Sequence, residues 1–153
     1  MKRFIGFIAI VCCAFLSSSG YAQEHWTEGP VRQVGLYRTK PGQFDEYMKY
    51  LRANFLPLSE EAKKQGLIVD FKVMVKTPHD SNDWDVAIVT LHKSYGAALD
   101  FNQGDDDKRK AIQSKHYKTP DENKQREMAA KRLDMRTFIG TNFVREVNLR
   151  PMP

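Results

Sequence analysis

Hydrophobic and polar positions alternate along the chain with two different periods. Residues 31–39 read as a strand, with Val34 and Leu36 inside a mixed alternation, and Lys40-Pro41-Gly42 marks a stop and a turn. Phe44, Tyr47, Met48, Leu51, Phe55, Leu58 and Ala62 then recur at spacings of three and four. That is one apolar helical stripe, with Asp45, Glu46, Lys49, Arg52 and Glu60 off it. Pro57 is expected to kink or break this helix, and Gly66 to cap it. Residues 67–76 return to period two, with Val69, Phe71, Val73 and Val75 alternating against Asp70, Lys72, Met74 and Lys76. Residues 77–83 form a polar loop. Residues 84–92 predict a third strand whose run Val86 to Val89 implies burial on both faces. Ser94 can cap a short helix carrying Ala97, Ala98, Leu99 and Phe101. A weakly striped helix follows over residues 121–133, and a last strand over residues 138–149 places Phe143, Val147 and Leu149 on one parity. Between them, residues 102–121 carry Asp105-Asp106-Asp107, Lys108-Arg109-Lys110 and Pro120 but no stripe, and read as an enlarged connection, either a lid or a disordered segment.

The order strand, helix, strand, strand, helix, strand predicts an α+β domain of ferredoxin-like βαββαβ type, an antiparallel sheet with helices on one face. The opening through Lys40-Pro41-Gly42 and the Phe44 to Leu58 stripe, the Gly66-Leu67 turn into a strand, and the run Asp85 to Leu91 followed by Tyr95, Ala97-Ala98 and Asp100 resemble the dimeric α/β-barrel superfamily. The resemblance covers residues 31–149, and residues 102–121 depart from it. It implies a homodimer pairing its sheets into a barrel, with a cavity between sheet and helices. A bare apolar sheet face independently asks for a covering partner.

The N-terminus changes the picture of where the domain works. Lys2 and Arg3 precede an apolar run from Phe4 to Leu16, followed by Ser17-Ser18-Ser19-Gly20 and Tyr21-Ala22. This predicts an export signal over residues 1–22 with cleavage after Ala22, a flexible lead-in over 23–30, and a domain over 31–153 that is periplasmic or secreted. The apolar run falls short of the ~20 residues of a membrane-spanning helix, so no membrane contact is expected after cleavage. Both cysteines, Cys12 and Cys13, lie inside the run, so the exported part carries no disulfide, thiol nucleophile or thiolate metal site. Without Lys2 and Arg3 the 24 basic residues become 22 against 19 acids, a charge of about +3 that does not argue for a nucleic-acid partner.

Strand parity supplies the candidate chemistry. With Val34 and Leu36 toward the helices, Gln33, Gly35 and Tyr37 face away. With Ala87, Val89 and Leu91 toward them, Val86, Ile88, Thr90 and His92 oppose. With Phe143, Val147 and Leu149 toward them, Asn142, Val144 and Glu146 oppose. The opposing face then offers Tyr37, Thr90, His92 and Asn142 as ligand-binding groups among aliphatics, a composition suited to a small apolar or aromatic molecule. A register error of one residue inverts each assignment. His92 is the sharpest catalytic candidate, because imidazole exchanges protons near neutral pH. The plain alternative is a strand-end histidine satisfied by backbone or water. Glu146 is a second candidate, as base or orienting group.

No metal site is expected. His79 with Asp80 and Asp83 lacks a second histidine at ligand spacing, and Asp105 to Asp107 lack the glycine and terminal glutamate of a calcium loop. His116 and Tyr117 carry no haem motif. There is no Gly-rich phosphate loop, Gly-x-Ser-x-Gly or His-Glu-x-x-His, so no cofactor is implied. Three functions fit: an exported small-molecule-binding homodimer, an enzyme of the cofactor-independent monooxygenase or isomerase/lyase kind that the resemblance allows, or a non-catalytic interaction domain.

Overall fold

A computed structural model describes residues 25–152. The expected export signal and both cysteines lie outside these residues. Strand β1 spans Trp26–Thr39, β2 Asp70–Val75, β3 Val86–His92 and β4 Arg136–Leu149. They form one four-stranded antiparallel sheet in the order β2-β3-β1-β4. The domain is therefore α+β. β1 starts at Trp26, five residues before the expected Val31, because Trp26 to Glu28 pair with Val147 to Leu149.

The turn leaving β1 follows from its residues. Pro41 fixes φ, Gly42 takes φ +74°, and Gln43 N–H bonds Lys40 C=O at 2.9 Å. The apolar stripe then forms α1 (Phe44–Tyr50) and α2 (Leu56–Lys64), joined without a break by a π-helical turn at Leu51–Phe55. Pro57 was expected to interrupt this helix. Instead the wider turn, with Leu56 N–H bonded to Leu51 C=O, absorbs the missing donor and the ring's crowding of the preceding turn. Gly66, at φ +74°, closes α2 in a Schellman arrangement, with Leu67 N–H on Ala62 C=O and Gly66 N–H on Lys63 C=O.

Ser94 caps α3 (Tyr95–Leu99), its Oγ accepting from Ala97 N–H at 3.1 Å. Residues 102–121 are not an irregular connection: they build α4 (Gln103–Tyr117). Asn102 caps it by accepting from Asp105 N–H at 3.0 Å. Asp105 and Asp106 sit in its first turn and Lys115 and His116 in its last, matching the helix dipole. α5 (Glu122–Ala130) and the short α6 (Arg132–Met135) return the chain to β4.

Helices α1, α2 and α4 to α6 lie over one sheet face. Tyr47 is fully buried and forms the core centre with Leu51 and Val86, ringed by Tyr37, Met48, Phe55, Val73 and Ile88. Phe71 meets Phe55 edge-on at 5.6 Å between centroids. The helix-facing positions are thus Val31, Gln33, Gly35 and Tyr37 in β1, with their partners Val86, Ile88, Thr90 and His92 in β3. This corrects the expected parity of both strands. Val34, Ala87 and Val89 look toward the uncovered face, where they line an open trough with Arg32, Met74 and Trp84.

In β4 the expected parity stands over Asn142 to Glu146, since Phe143 pairs with Gln33 and Asn142 with Val34. Two bulges interrupt the β1–β4 ladder. At the first, a Cβ on Gly29 would sit 3.0 Å from the Glu146 Cβ and carbonyl oxygen, so a larger residue would press on β4. At the second, Ile139 is extra. It brings Phe138 opposite Tyr37 and Arg136 opposite Thr39, both on the helix side.

Candidate functional site

A cleft opens between the helix-facing side of the sheet and the helices. Its larger lobe, about 330 Å³, lies between β1 and β3 below and the α1–α2 helix above. Gln33, Gly35, Tyr37 and Thr90 form its floor, and Tyr47, Leu51, Asn54, Phe55 and Leu58 its roof. Tyr50, Tyr117, Arg132 and Arg136 complete the wall. A second lobe of about 240 Å³ shares Gln33, Phe55, Leu58 and Thr90 with the first and reaches His92, Arg109 and Ser59. Gly35 keeps the floor open: a Cβ there would meet the Tyr37 hydroxyl at 2.8 Å.

Arg136 dominates the first lobe. Its guanidinium carbon sits 3.5 Å from the Tyr37 ring centroid and 5.3 Å from that of Tyr47. Its Nε and Nη1 are buried without a hydrogen-bond partner, and so is the Tyr47 hydroxyl. Burial pushes the Tyr47 phenol well above its ordinary pKa and outweighs the pull of Arg136, so this hydroxyl stays protonated. Burial also lowers the Arg136 pKa, although Tyr47 and Tyr37 oppose the shift. The lining of both lobes includes Arg109, Arg132 and Arg136 but no carboxylate. Tyr50 Oη donates to Ala129 C=O at 3.2 Å, tying α5 to the roof.

The structure divides the expected site residues. Tyr37, Thr90 and His92 share the cleft, Tyr37 in the first lobe, His92 in the second and Thr90 in both. Asn142 and Glu146 belong to the uncovered face, and Glu146 is bound to the Arg32 guanidinium, whose Nε lies 2.6 Å away. Glu146 is therefore separated from His92 by the sheet itself. His92 is 4% exposed; its Nε2 lies 3.3 Å from Gln33 Oε1, and its Nδ1 is buried without a partner. Burial first, and Arg109 second, lower its pKa, so the ring is neutral at pH 7.

The loop around His79 uses its acid locally: Asp83 accepts from His79 N–H at 2.8 Å and from Lys76 Nζ at 2.6 Å, which hold its carboxyl down to about 2. His116 faces Asn54, its Nε2 lying 3.2 Å from Asn54 Oδ1. Tyr47 and Arg136, the central pair of the cleft, were not singled out from the sequence. Tyr47 was counted within the apolar stripe, and Arg136 stands two residues before the expected start of the last strand. Compared with known proteins, the chain matches no family model, no curated protein and no solved structure.

Proposed function

We propose that this protein is an exported homodimer that binds a small, partly apolar molecule in the cleft between its sheet and its helices. The observation that carries this reading is the cleft itself, about 330 Å³ of unfilled space in the middle of the fold. Its floor of Gln33, Gly35 and Thr90 is unusually short-chained or polar for a sheet face under a helix, so the space is kept rather than packed.

The strand order β2-β3-β1-β4, with all neighbours antiparallel, supports a ferredoxin-like arrangement. Pairing is supported by the uncovered face, where Val34, Met74 and Trp84 line a trough with no helix above it and Met74 and Val144 are exposed. A second copy laid face to face would remove this apolar surface from water. The apolar character of the run before Ser17 supports export.

Native mass spectrometry of the protein from the exported fraction of its own host tests these claims together. The expected result is a dimer beginning at Gln23 and carrying a defined additional mass. A monomer overturns the pairing, and retained residues 1–22 overturn the export reading. Failure of the isolated protein to take up any member of a small-molecule panel overturns the binding reading.

A catalytic role, as a cofactor-independent monooxygenase or an isomerase/lyase, draws on one observation. His92 is a neutral imidazole in the cleft wall, with one nitrogen unused by the protein. With Glu146 on the other face, His92 would act without that acid. A pH-dependent turnover abolished by His92→Ala is the expected sign, and unchanged turnover in that variant removes His92 from the chemistry.

A further inference from the structure

Resting on the reading that the cleft binds a small molecule, we propose that its ligand is a compact carboxylate with an apolar body, seated with the carboxylate on the Arg136 guanidinium. A buried guanidinium normally has its N–H groups taken up by carboxylate or carbonyl oxygens. Arg136 makes no ion pair with a described residue, and its Nε and Nη1 are buried and unbonded. Tyr37 and Tyr47 steady its charge through their rings, but a ring face supplies no lone pair to an N–H group.

A second orphan donor stands beside it. The Tyr47 hydroxyl is buried, protonated and unpartnered. Two sets of unbonded donors thus line one lobe, in a wall that holds a second cation, Arg132, and no carboxylate. What is missing is an anion with two acceptor oxygens, which is the complement of the guanidinium fork. The rest of the lobe fixes the other end of the ligand. Leu51, Phe55, Leu58 and Ile88 offer apolar walls, and about 330 Å³ sits at the small end of ligand pockets (~300–1,000 Å³).

The test is calorimetric titration of the purified full domain with matched acid and amide pairs: 2-naphthoate with 2-naphthamide, and octanoate with octanamide. The amide keeps the body and shape and loses the charge. We expect one acid to bind at least ~10-fold more tightly than its amide, a preference that R136Q abolishes while leaving amide binding intact. T141W, which fills the cleft from the floor of β4, is expected to block acid and amide alike. R136K, which keeps the charge without the fork, serves should R136Q fold poorly, and is expected to lose most of the preference. Equal binding of acid and amide overturns the carboxylate inference and leaves the cleft reading standing. No binding by any of the four compounds overturns this inference, and the broader panel then decides the cleft reading separately.

Discussion

Arg136 and Arg32 sit on opposite faces of one sheet and meet opposite fates. Arg32, on the uncovered face, is partly exposed and bound to Glu146, although water could have served it. Arg136, under the helices, is partly buried against two tyrosine rings, with its Nε and Nη1 enclosed and unmet. The energetic logic of folding alone would reverse these assignments, since an exposed pair gains little and an unpaired buried charge is strongly unfavourable. The helix side therefore carries a departure from best stability, and such departures gather where a protein does its work. On the uncovered side the cation is paired and partly exposed, as ordinary surface charges are.

This contrast can be broken in several ways. The largest effect is expected from Tyr47→Ala, which empties the fully buried centre of the helix side and should cost about 3–5 kcal/mol in urea unfolding. Tyr47→Phe should stay within about 1 kcal/mol of the parent, because the hydroxyl it deletes has no partner to lose. A large loss in that variant would mean the hydroxyl is structurally engaged. Next in size, Arg136→Met should stabilise the domain by roughly 1–2 kcal/mol, as replacing buried charge by an apolar chain often does. A destabilised Arg136→Met protein would show that the two ring contacts outweigh desolvation.

Proton binding offers a weaker lever on the same side. The folded-state pKa of His92 lies below its unfolded value, so its neutral burial contributes fully above the unfolded pKa of about 6.5 and is lost as pH falls through the folded value. Unfolding midpoints should therefore drop on acidification below that pH, and less so in His92→Gln. An unchanged pH dependence would place the titration elsewhere. The smallest effect belongs to the open face: a double-mutant cycle on Arg32 and Glu146 should return at most about 1 kcal/mol of coupling, fading with salt.

Much of the architecture was legible because local chemistry and global fold agree. The Pro41-Gly42 turn, the stripe through Tyr47 and Leu51, the Gly66 cap and the Ser94 cap each appear where their residues ask for them. α4 was not legible, because it buries only Ile112 and so writes no stripe. Its evidence lay in the charges. Lys110 pairs with Asp106 at 3.1 Å and Gln103 with Asp107 at 2.8 Å, the spacings of one helix face.

The site was half legible. Tyr37, Thr90 and His92 do share a face, but that face was assigned to the wrong side of the sheet. The reason is that aliphatic parity was taken to mark the helix side. Here Val34 and Val89 line the uncovered trough, while the helix side uses Gln33, Gly35 and Thr90 to keep a space open. With apolar residues on both faces, alternation carries no mark of which is which. Arg136 was out of reach for another reason: its side is set by a bulge that alternation cannot foresee.

That bulge has a consequence for heredity. A strand's alternation behaves as a two-phase counter, and the extra Ile139 advances it by one between Gly140 and Phe138. Were Ile139 paired instead of set aside, an unbroken ladder would carry Arg136 to the far side of the sheet and leave Thr137 facing the tyrosines. Losing the three bases of the Ile139 codon does the opposite: Gly140 then meets Phe138 directly, and Phe138 and Arg136 keep their places opposite Tyr37 and Thr39. The spare residue is therefore the one position in this stretch whose loss leaves the counter in phase. Ile139 should accept both substitution and deletion, a pattern that deep mutational scanning with indels would display directly.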